Sequence, residues 1–276
     1  MNRHPLLPKH SFRAGFTLVE LLVIVGIIAI LMSIAFPVSR SMLRRARAAE
    51  CQGNLKQWGL AFSLYINDHN GLFPRDGSDP KSSGSNIADP KSSNGWFNVL
   101  PPYINVPTMA QLLKDRRIPC PGIGKSPYVC PEAPIIPALA KAYTSGGRGN
   151  QTEYYNSYAY NMGIDNSFTR ASKVRNASAL AIFADGPTGN WHGGEGGGSR
   201  PGYQYSKTSA VPMAESEGGD AFRHGGIAHI CFFDGHVQGY RKVDIWHKGM
   251  DSLENYGGVQ WNPNKDLDNK PYPTAK

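Results

Sequence analysis

The feature that most constrains this chain is an apolar run from Phe16 to Phe36, FTLVELLVIVGIIAILMSIAF, in which Glu20 is the only charged residue. As an α-helix rising 1.5 Å per residue, this run would be about 31 Å long, the hydrocarbon thickness of a bilayer. A secretory signal peptide is the competing interpretation, because Ser33-Ile34-Ala35 resembles a small-x-small cleavage site. The apolar region of a signal peptide is shorter, typically about 7–15 residues. We therefore predict a transmembrane helix.

Most of the positive charge of the chain lies beside this segment. The 276 residues include 29 Lys and Arg against 21 Asp and Glu, but from Cys51 onward 22 basic residues face 19 acidic ones. No run of Lys and Arg interleaved with aromatic residues is present to follow a phosphate backbone, so we expect no nucleic-acid partner. The basic residues that flank the apolar run are Arg3, Lys9, Arg13, Arg40, Arg44, Arg45 and Arg47.

Glu20 is unexpected inside a membrane span. A carboxylate near the bilayer centre costs about 2.5–3.5 kcal/mol or more unless it has a partner. Its presence therefore indicates a function beyond simple anchoring.

The residues around Glu20 carry a specific resemblance. Gly15-Phe16-Thr17-Leu18-Val19-Glu20, after a basic leader and before an apolar run, resembles the class III signal of type IV prepilins and type II secretion pseudopilins. The resemblance implies that a prepilin peptidase cuts after Gly15 and N-methylates Phe16. It also implies that Glu20 pairs with the terminal amine of a neighbouring subunit and sets the register of a filament.

This resemblance also implies a location, partners and a division of the chain. The protein would be a single-pass protein of the bacterial inner membrane with its head in the periplasm or at the cell surface. Its partners would be the prepilin peptidase and other pilin or pseudopilin subunits. The predicted segments are a leader (1–15), the membrane half of a helix (16–36), the rest of that helix (37–70), a head (71–262) and a flexible tail (263–276).

The pattern after the span predicts that the helix continues into the head. Pro37 would kink it, since proline lacks an amide donor. Apolar residues then recur at three- and four-residue steps and predict one buried helix face, and Asn70-Gly71 supplies a stop signal. A helix from Phe16 to about His69 would be roughly 80 Å long. The residues of the predicted buried face are Leu55, Trp58, Phe62, Tyr65 and Ile66.

The head is predicted to contain a small antiparallel sheet. Asp234-Gly235 is a strong hairpin signal between two apolar segments, and no alternation of strands and helices favours a parallel sheet. A short helix is expected from Met109 to Asp115. The fold class is therefore α+β and pilin-like, with a long N-terminal transmembrane helix packed on the sheet. Strands are predicted at Ser157–Tyr160, Ala179–Ala184, Ile227–Phe233 and Val237–Tyr240.

The cysteines favour a disulfide over a metal site. Four cysteines lie at positions 51, 120, 130 and 231, in a head predicted to lie outside the cytoplasm, and they allow three pairings. A Cys120–Cys130 bridge closes the shortest loop and is the first expectation, and a Cys51–Cys120 bridge competes with it. A zinc site is less expected, because no two cysteines have C-x2-C spacing.

A second resemblance lies near the C-terminus. In RHGGIAHICFFDGHV, His224 is followed by Asp234-Gly235 with the spacing of the H-x9-DG element of prepilin-type processing-associated proteins. The resemblance assigns no role to His224, Asp234 or Gly235.

The sequence predicts a protein that is not an enzyme. Gly124-Lys125-Ser126 lacks the rest of a phosphate-binding loop, and neither G-x-S-x-G nor H-E-x-x-H is present. We expect no cofactor, with calcium left open as an alternative, because Asp185 and Asp234 each precede a glycine at a predicted strand end.

Two functions remain open. The first is a pseudopilin or minor pilin that assembles through its apolar helix. The second is a membrane-anchored binding module whose head displays loops for a carbohydrate or a protein, suggested by Trp96, Trp191, Tyr203 and Tyr205.

Overall fold

The computed structural model describes residues 17–75, 95–115, 125–133, 155–161, 164, 170–190, 222–245 and 258–261. The chain divides into two compact units, Met1–Arg45 and Ala46–Lys276.

Helix α1 (Leu18–Asp68) supplies the described part of the first unit and the start of the second. Within residues 18–36, the large apolar side chains are each between 42% and 77% exposed, on every side of the helix. A helix that is apolar all round needs lipid or other helices to cover it. Among the described residues, α1 is the one helix long and apolar enough to cross a membrane. The long N-terminal helix predicted from the sequence is confirmed.

The end of α1 is set by backbone geometry at Asn70 and Gly71. Both residues have left-handed backbone angles, with φ of 53° and 75°. Glycine and asparagine adopt this region at the least cost, and the N–H of Gly71 caps the helix by donating to the carbonyl of Ile66 at 2.7 Å. The stop predicted at Asn70-Gly71 is therefore present.

One face of α1 in the second unit forms the centre of the main core. Cys51, Leu55, Trp58 and Phe62 follow one another at four-, three- and four-residue steps and are fully buried. Lys56, Gln57 and Leu60 lie on the opposite, exposed side of the helix. The predicted buried face is found here, with Tyr65 and Ile66 half-buried at its end.

The second unit contains a four-stranded antiparallel sheet in the order β1-β2-β3-β4. Short helices and 3-10 turns surround it. The strands are β1 (Tyr155–Tyr160), β2 (Ala181–Asn190), β3 (Ile227–Phe232) and β4 (Val237–Arg241). The helices are α2 (Trp96–Val99), α3 (Met109–Lys114) and α4 (Lys242–Ile245), with 3-10 turns at Pro101–Ile104 and Ala171–Lys173.

The sheet is buried on both faces. Tyr158, Tyr160 and Phe183 pack into the core that contains the buried face of α1. Ala184, Ile230 and other residues of the opposite face pack with Phe222, Ile245 and Trp261 in a second core. The α+β prediction is confirmed, and the predicted strands and the short helix at Met109 are found with shifted ends.

Helix α1 packs tightly against β3 at Gly59. A Cβ atom placed on Gly59 would lie 2.7 Å from the Sγ of Cys231 on β3. Only glycine permits this approach, which brings Cys51 and Leu55 of α1 against the sheet.

Candidate functional site

The first candidate site is the N-terminal motif. Gly15 and Phe16 lie outside the described residues, and Glu20 lies in the first turn of α1. The Glu20 carboxylate accepts hydrogen bonds from the N–H and the hydroxyl of Thr17 at 2.9 and 2.8 Å. The N–H of Glu20 in turn donates to the Thr17 hydroxyl oxygen at 3.3 Å.

This reciprocal pair is a capping box, in which a threonine and a glutamate three residues later satisfy the free amides of a helix start. The sequence signal is T-x-x-E before an apolar run, at Thr17 and Glu20. From the sequence, Glu20 is expected to be a membrane carboxylate that pairs with a neighbouring subunit, and the cap is an additional contact that this expectation does not include. The structure thus directs this carboxylate toward the N-terminal end of the helix.

The second candidate site is a buried cluster that the fold assembles from four separate segments. Cys51 comes from α1, Cys130 from the segment 125–133, Asp185 from β2 and His224 from the residues before β3. Their Sγ, carboxylate and ring nitrogen atoms all lie within 4.8 Å of one another. We call these four residues the Cys-Asp-His cluster.

Short contacts connect the members of the cluster. The Cys51 thiol donates to Oδ1 of Asp185 at 3.0 Å. The Sγ of Cys130 lies 3.3 Å from Nε2 of His224, and the same nitrogen lies 3.5 Å from Oδ2 of Asp185. Cys51 and Asp185 are fully buried, Cys130 is 1% exposed, and the His224 side chain is 3% exposed.

A ring of polar neighbours orients these side chains. Nδ1 of His224 lies 2.7 Å from Oε2 of Glu132. Oδ2 of Asp185 accepts from the N–H of His229 at 2.9 Å and lies 3.1 Å from Nδ1 of its ring. The Tyr158 hydroxyl donates to the Sγ of Cys51 at 3.2 Å.

Gln52 sets the tautomer of His229. Its amide nitrogen lies 2.9 Å from Nε2 of His229, and an amide nitrogen can only donate. The ring therefore accepts at Nε2 and donates from Nδ1 to Asp185. Asp185 is thus held by hydrogen bonds from two groups of one residue.

The electrostatics of the cluster favour the anions of Cys130 and Asp185 and the protonated form of Cys51. A hydrogen bond from Cys51 lowers the pKa of Cys130 to about 5, with His224 and the Arg223 guanidinium acting in the same direction against burial. Burial opposes ionisation of Asp185, but the hydrogen bond from His229 and the charge of Arg223 outweigh it and lower its pKa. Burial is the largest influence on Cys51, and it raises the pKa of that thiol. The site therefore combines ionised and protonated groups in a volume closed to solvent.

The residues of the C-terminal H-x9-DG pattern, His224, Asp234 and Gly235, lie in two different parts of the second unit. His224 belongs to the Cys-Asp-His cluster, whereas Asp234 and Gly235 form the turn between β3 and β4. Oδ1 of Asp234 accepts from the N–H of His236 at 3.1 Å, and Gly235 has a φ of +86°.

The remaining predicted residues have different outcomes. Cys130 is a free thiol in this structure and Cys120 lies outside the described residues, so the Cys120–Cys130 bridge stays a prediction.

The neighbours of Asp185 offer sulfur and nitrogen, whereas calcium binds six to eight oxygens. Asp185 is therefore poorly suited to the calcium alternative.

The prediction that Trp96 lies on a display loop is wrong. Trp96 opens α2 and is fully buried, and its ring packs edge-on against Trp58 with centroids 5.3 Å apart. Trp191, Tyr203 and Tyr205 lie outside the described residues.

Comparison with known proteins identifies the N-terminal site. Residues 11–36 match the family model described as the prokaryotic N-terminal methylation motif, and this range contains Gly15, Phe16 and Glu20. The resemblance to prepilins stated from these residues is therefore confirmed, and the chain carries a prepilin-type N-terminal methylation motif.

One similar curated protein is "Prepilin peptidase-dependent protein D" of Escherichia coli (strain K12). It is 40% identical over 63 residues, which are 23% of this chain and 43% of that protein. The chain thus matches less than half the length of this relative. No solved structure matches the chain.

Proposed function

We propose that this chain is a pseudopilin or minor pilin, the subunit of a type II secretion or type IV pilus-like filament. A prepilin peptidase cuts it between Gly15 and Phe16, and it then assembles through the apolar half of α1. The observation that carries this proposal is the methylation motif at residues 11–36, with Glu20 inside it. The curated relative, whose name states dependence on a prepilin peptidase, supports the same processing step.

The surface of the helix supports assembly within a membrane. Residues 18–36 of α1 expose apolar side chains all round, and Glu20 is the only charge among them. Lipid covers such a surface before assembly, and neighbouring copies of the same helix cover it afterwards. The subunit is thus held in the inner membrane, with its head on the outer side.

The capping box supports the role of Glu20. Cleavage after Gly15 makes Phe16 the terminal residue, and the Glu20 carboxylate already accepts from the N–H of Thr17, the next residue. A methylated amine keeps its positive charge. In a low dielectric, that amine and the carboxylate of a neighbouring subunit stabilise each other, and either one alone would be costly.

The proposal predicts opposite effects of Glu20→Leu on insertion and on assembly. Removing the charge favours insertion, by less than the roughly 2.5–3.5 kcal/mol that applies at a helix centre, because Glu20 lies in the first turn of α1. Incorporation into filaments is lost, because the amine of a neighbouring Phe16 is buried without its counter-charge. Membrane fractionation measures the first effect, and recovery of the subunit in sheared or purified filaments from the native host measures the second.

Ile24→Leu is the matched control, because it changes an exposed apolar residue in the same segment and leaves the charge pattern unchanged. This variant is expected to insert and assemble normally. Full assembly of a Glu20→Leu subunit would contradict the proposed role, and the display of a binding head on a simple anchor would then be the better account.

A further inference from the structure

The donor atoms of the Cys-Asp-His cluster match a known type of metal centre. Zinc in structural sites is bound by four ligands in a tetrahedron, at about 2.0–2.3 Å from sulfur, nitrogen or oxygen. The edges of such a tetrahedron are roughly 3.3–3.8 Å. In the structure, Nε2 of His224 lies 3.3 Å from the Cys130 sulfur and 3.5 Å from Asp185, and the Cys51 sulfur lies 3.0 Å from Asp185. All of the donor atoms lie within 4.8 Å of one another, so side-chain movements of about 1 Å would bring them into this geometry.

We propose that Cys51, Cys130, Asp185 and His224 bind one Zn²⁺ ion that joins helix α1, the sheet and the segment 125–133. All four positions are then filled by protein side chains, which makes the site structural. Binding requires both sulfurs as thiolates and an unprotonated Nε2 on His224, so any proton held by Cys51, Cys130 or Nε2 of His224 passes to solvent as the metal enters.

The surrounding hydrogen bonds present the correct atoms to such an ion. Because Glu132 contacts Nδ1 of His224, the ring donates there, and once Nε2 has lost its proton its lone pair faces Cys130 and the ion. A carboxylate on the far nitrogen is the usual support of a zinc-bound histidine. His229 occupies Oδ2 of Asp185 and leaves Oδ1 directed at Cys51.

The charges balance when the ion is present. Two thiolates and the Asp185 carboxylate bring three negative charges. Zinc supplies two positive charges, and the Arg223 guanidinium, whose charge acts on Asp185 and both cysteines, supplies the third. The four ligands, the ion and Arg223 thus sum to zero, and the Glu132 carboxylate beside His224 adds one negative charge at a side chain that is 11% exposed. This near balance avoids most of the large cost of burying an uncompensated ion.

Two other uses of these residues are less consistent with the structure. A Cys51–Cys130 disulfide would remove the thiols that contact Asp185 and His224 and would leave the Asp185 carboxylate without its Cys51 donor. A nucleophilic Cys130 activated by His224 has to meet a substrate, but Cys130 is only 1% exposed. The same cysteine cannot bind zinc and form a Cys120–Cys130 bridge, so the two predictions exclude each other.

The test measures zinc in the full chain, purified in detergent from its native membrane without chelators. We expect about one zinc per chain by elemental mass spectrometry. Loading with Co²⁺ is expected to give a thiolate-to-metal charge-transfer band and tetrahedral visible bands. His224→Asn and Cys130→Ser are expected to lose both signals.

Two further variants separate loss of the site from loss of the fold. Glu132→Gln keeps the side-chain shape and leaves the ligands in place, and it is expected to weaken zinc binding about 10–100-fold in a chelator competition. Cys231→Ala removes a buried cysteine outside the cluster and is expected to keep one zinc per chain.

Three results would overturn the proposal. The first is a chain with reduced cysteines that binds no zinc. The second is a Cys51–Cys130 or Cys120–Cys130 disulfide found by peptide mapping of acid-quenched native protein. The third is full zinc retention in both the His224→Asn and the Cys130→Ser variants. None of these results depends on cleavage after Gly15. The zinc proposal and the pilin proposal can therefore each be contradicted without affecting the other.

Discussion

At the scale of single residues, two glycines of α1 have opposite surroundings. A Cβ at Gly59 would meet the Cys231 sulfur at 2.7 Å, whereas a Cβ at Gly53 would meet nothing within 4 Å. Both glycines lie inside the same helix, where alanine is favoured by about 1 kcal/mol. The two positions therefore separate helix propensity from packing against the sheet.

We predict that Gly59→Ala destabilises the head by about 1–2 kcal/mol, because overpacking outweighs the gain in helix propensity. Gly53→Ala is expected to stabilise it by up to about 1 kcal/mol. Denaturant unfolding of the full chain, followed by fluorescence of the buried tryptophans, measures both. Adding Cys231→Ala to Gly59→Ala should restore part of the lost stability, and equal effects of the two single variants would contradict this packing.

At the scale of elements, the β3–β4 hairpin shows how the C-terminal motif shapes the sheet. The N–H of Gly235 donates to the carbonyl of Phe232 at 2.8 Å, and the N–H of Phe232 donates to the backbone carbonyl of His236 at 2.9 Å. Three residues, Phe233, Asp234 and Gly235, thus form the loop, with glycine in the left-handed position of a bulge. The turn fixes the register in which β4 pairs with β3.

Gly235→Ala is predicted to destabilise the head by about 1–2 kcal/mol through its backbone alone. No atom lies within 4 Å of an added Cβ, so steric contact contributes nothing. Gly235→Asn is expected to cost less, because asparagine tolerates the left-handed region better than alanine. The midpoint of thermal unfolding is expected to be highest for the native chain, lower for Gly235→Asn and lowest for Gly235→Ala. An alanine variant as stable as the native chain would contradict this cost of a left-handed alanine.

The elements that sequence reasoning predicted well are those with local signals. Helix α1 was expected from Phe16 to about His69 and is described from Leu18 to Asp68, because apolar periodicity and the Asn70-Gly71 stop act within a few residues. The β3–β4 hairpin was predicted for the same reason, since Asp234-Gly235 lies between two apolar segments.

The Cys-Asp-His cluster carries no such local signal. Cys51 and Asp185 are 134 residues apart, and Cys130 and His224 are 94 apart. A search for C-x2-C spacing cannot find ligands that meet only after α1 has packed on the sheet. Trp96 was misassigned for a related reason, because much of its burial comes from Trp58 of α1 and Phe183 of β2, which are distant from it in sequence.

At the scale of the whole molecule, the central proposal is that the chain is made as a precursor. Its leader is cut off on the N-terminal side of the apolar helix, so the helix stays on the mature protein. Cleavage at the Gly15–Phe16 junction leaves the membrane span on the mature protein, whereas cleavage after Ser33-Ile34-Ala35 would remove it. The two cuts thus produce a filament subunit in one case and a secreted head in the other.

Mass spectrometry of the N-terminal peptide of the protein isolated from its native host distinguishes these outcomes directly. The account predicts a mature chain that begins at Phe16, carries one N-methyl group on its terminal amine and retains Glu20. A chain that begins at Phe36 would contradict it, because the protein would then have lost the helix through which it is proposed to assemble.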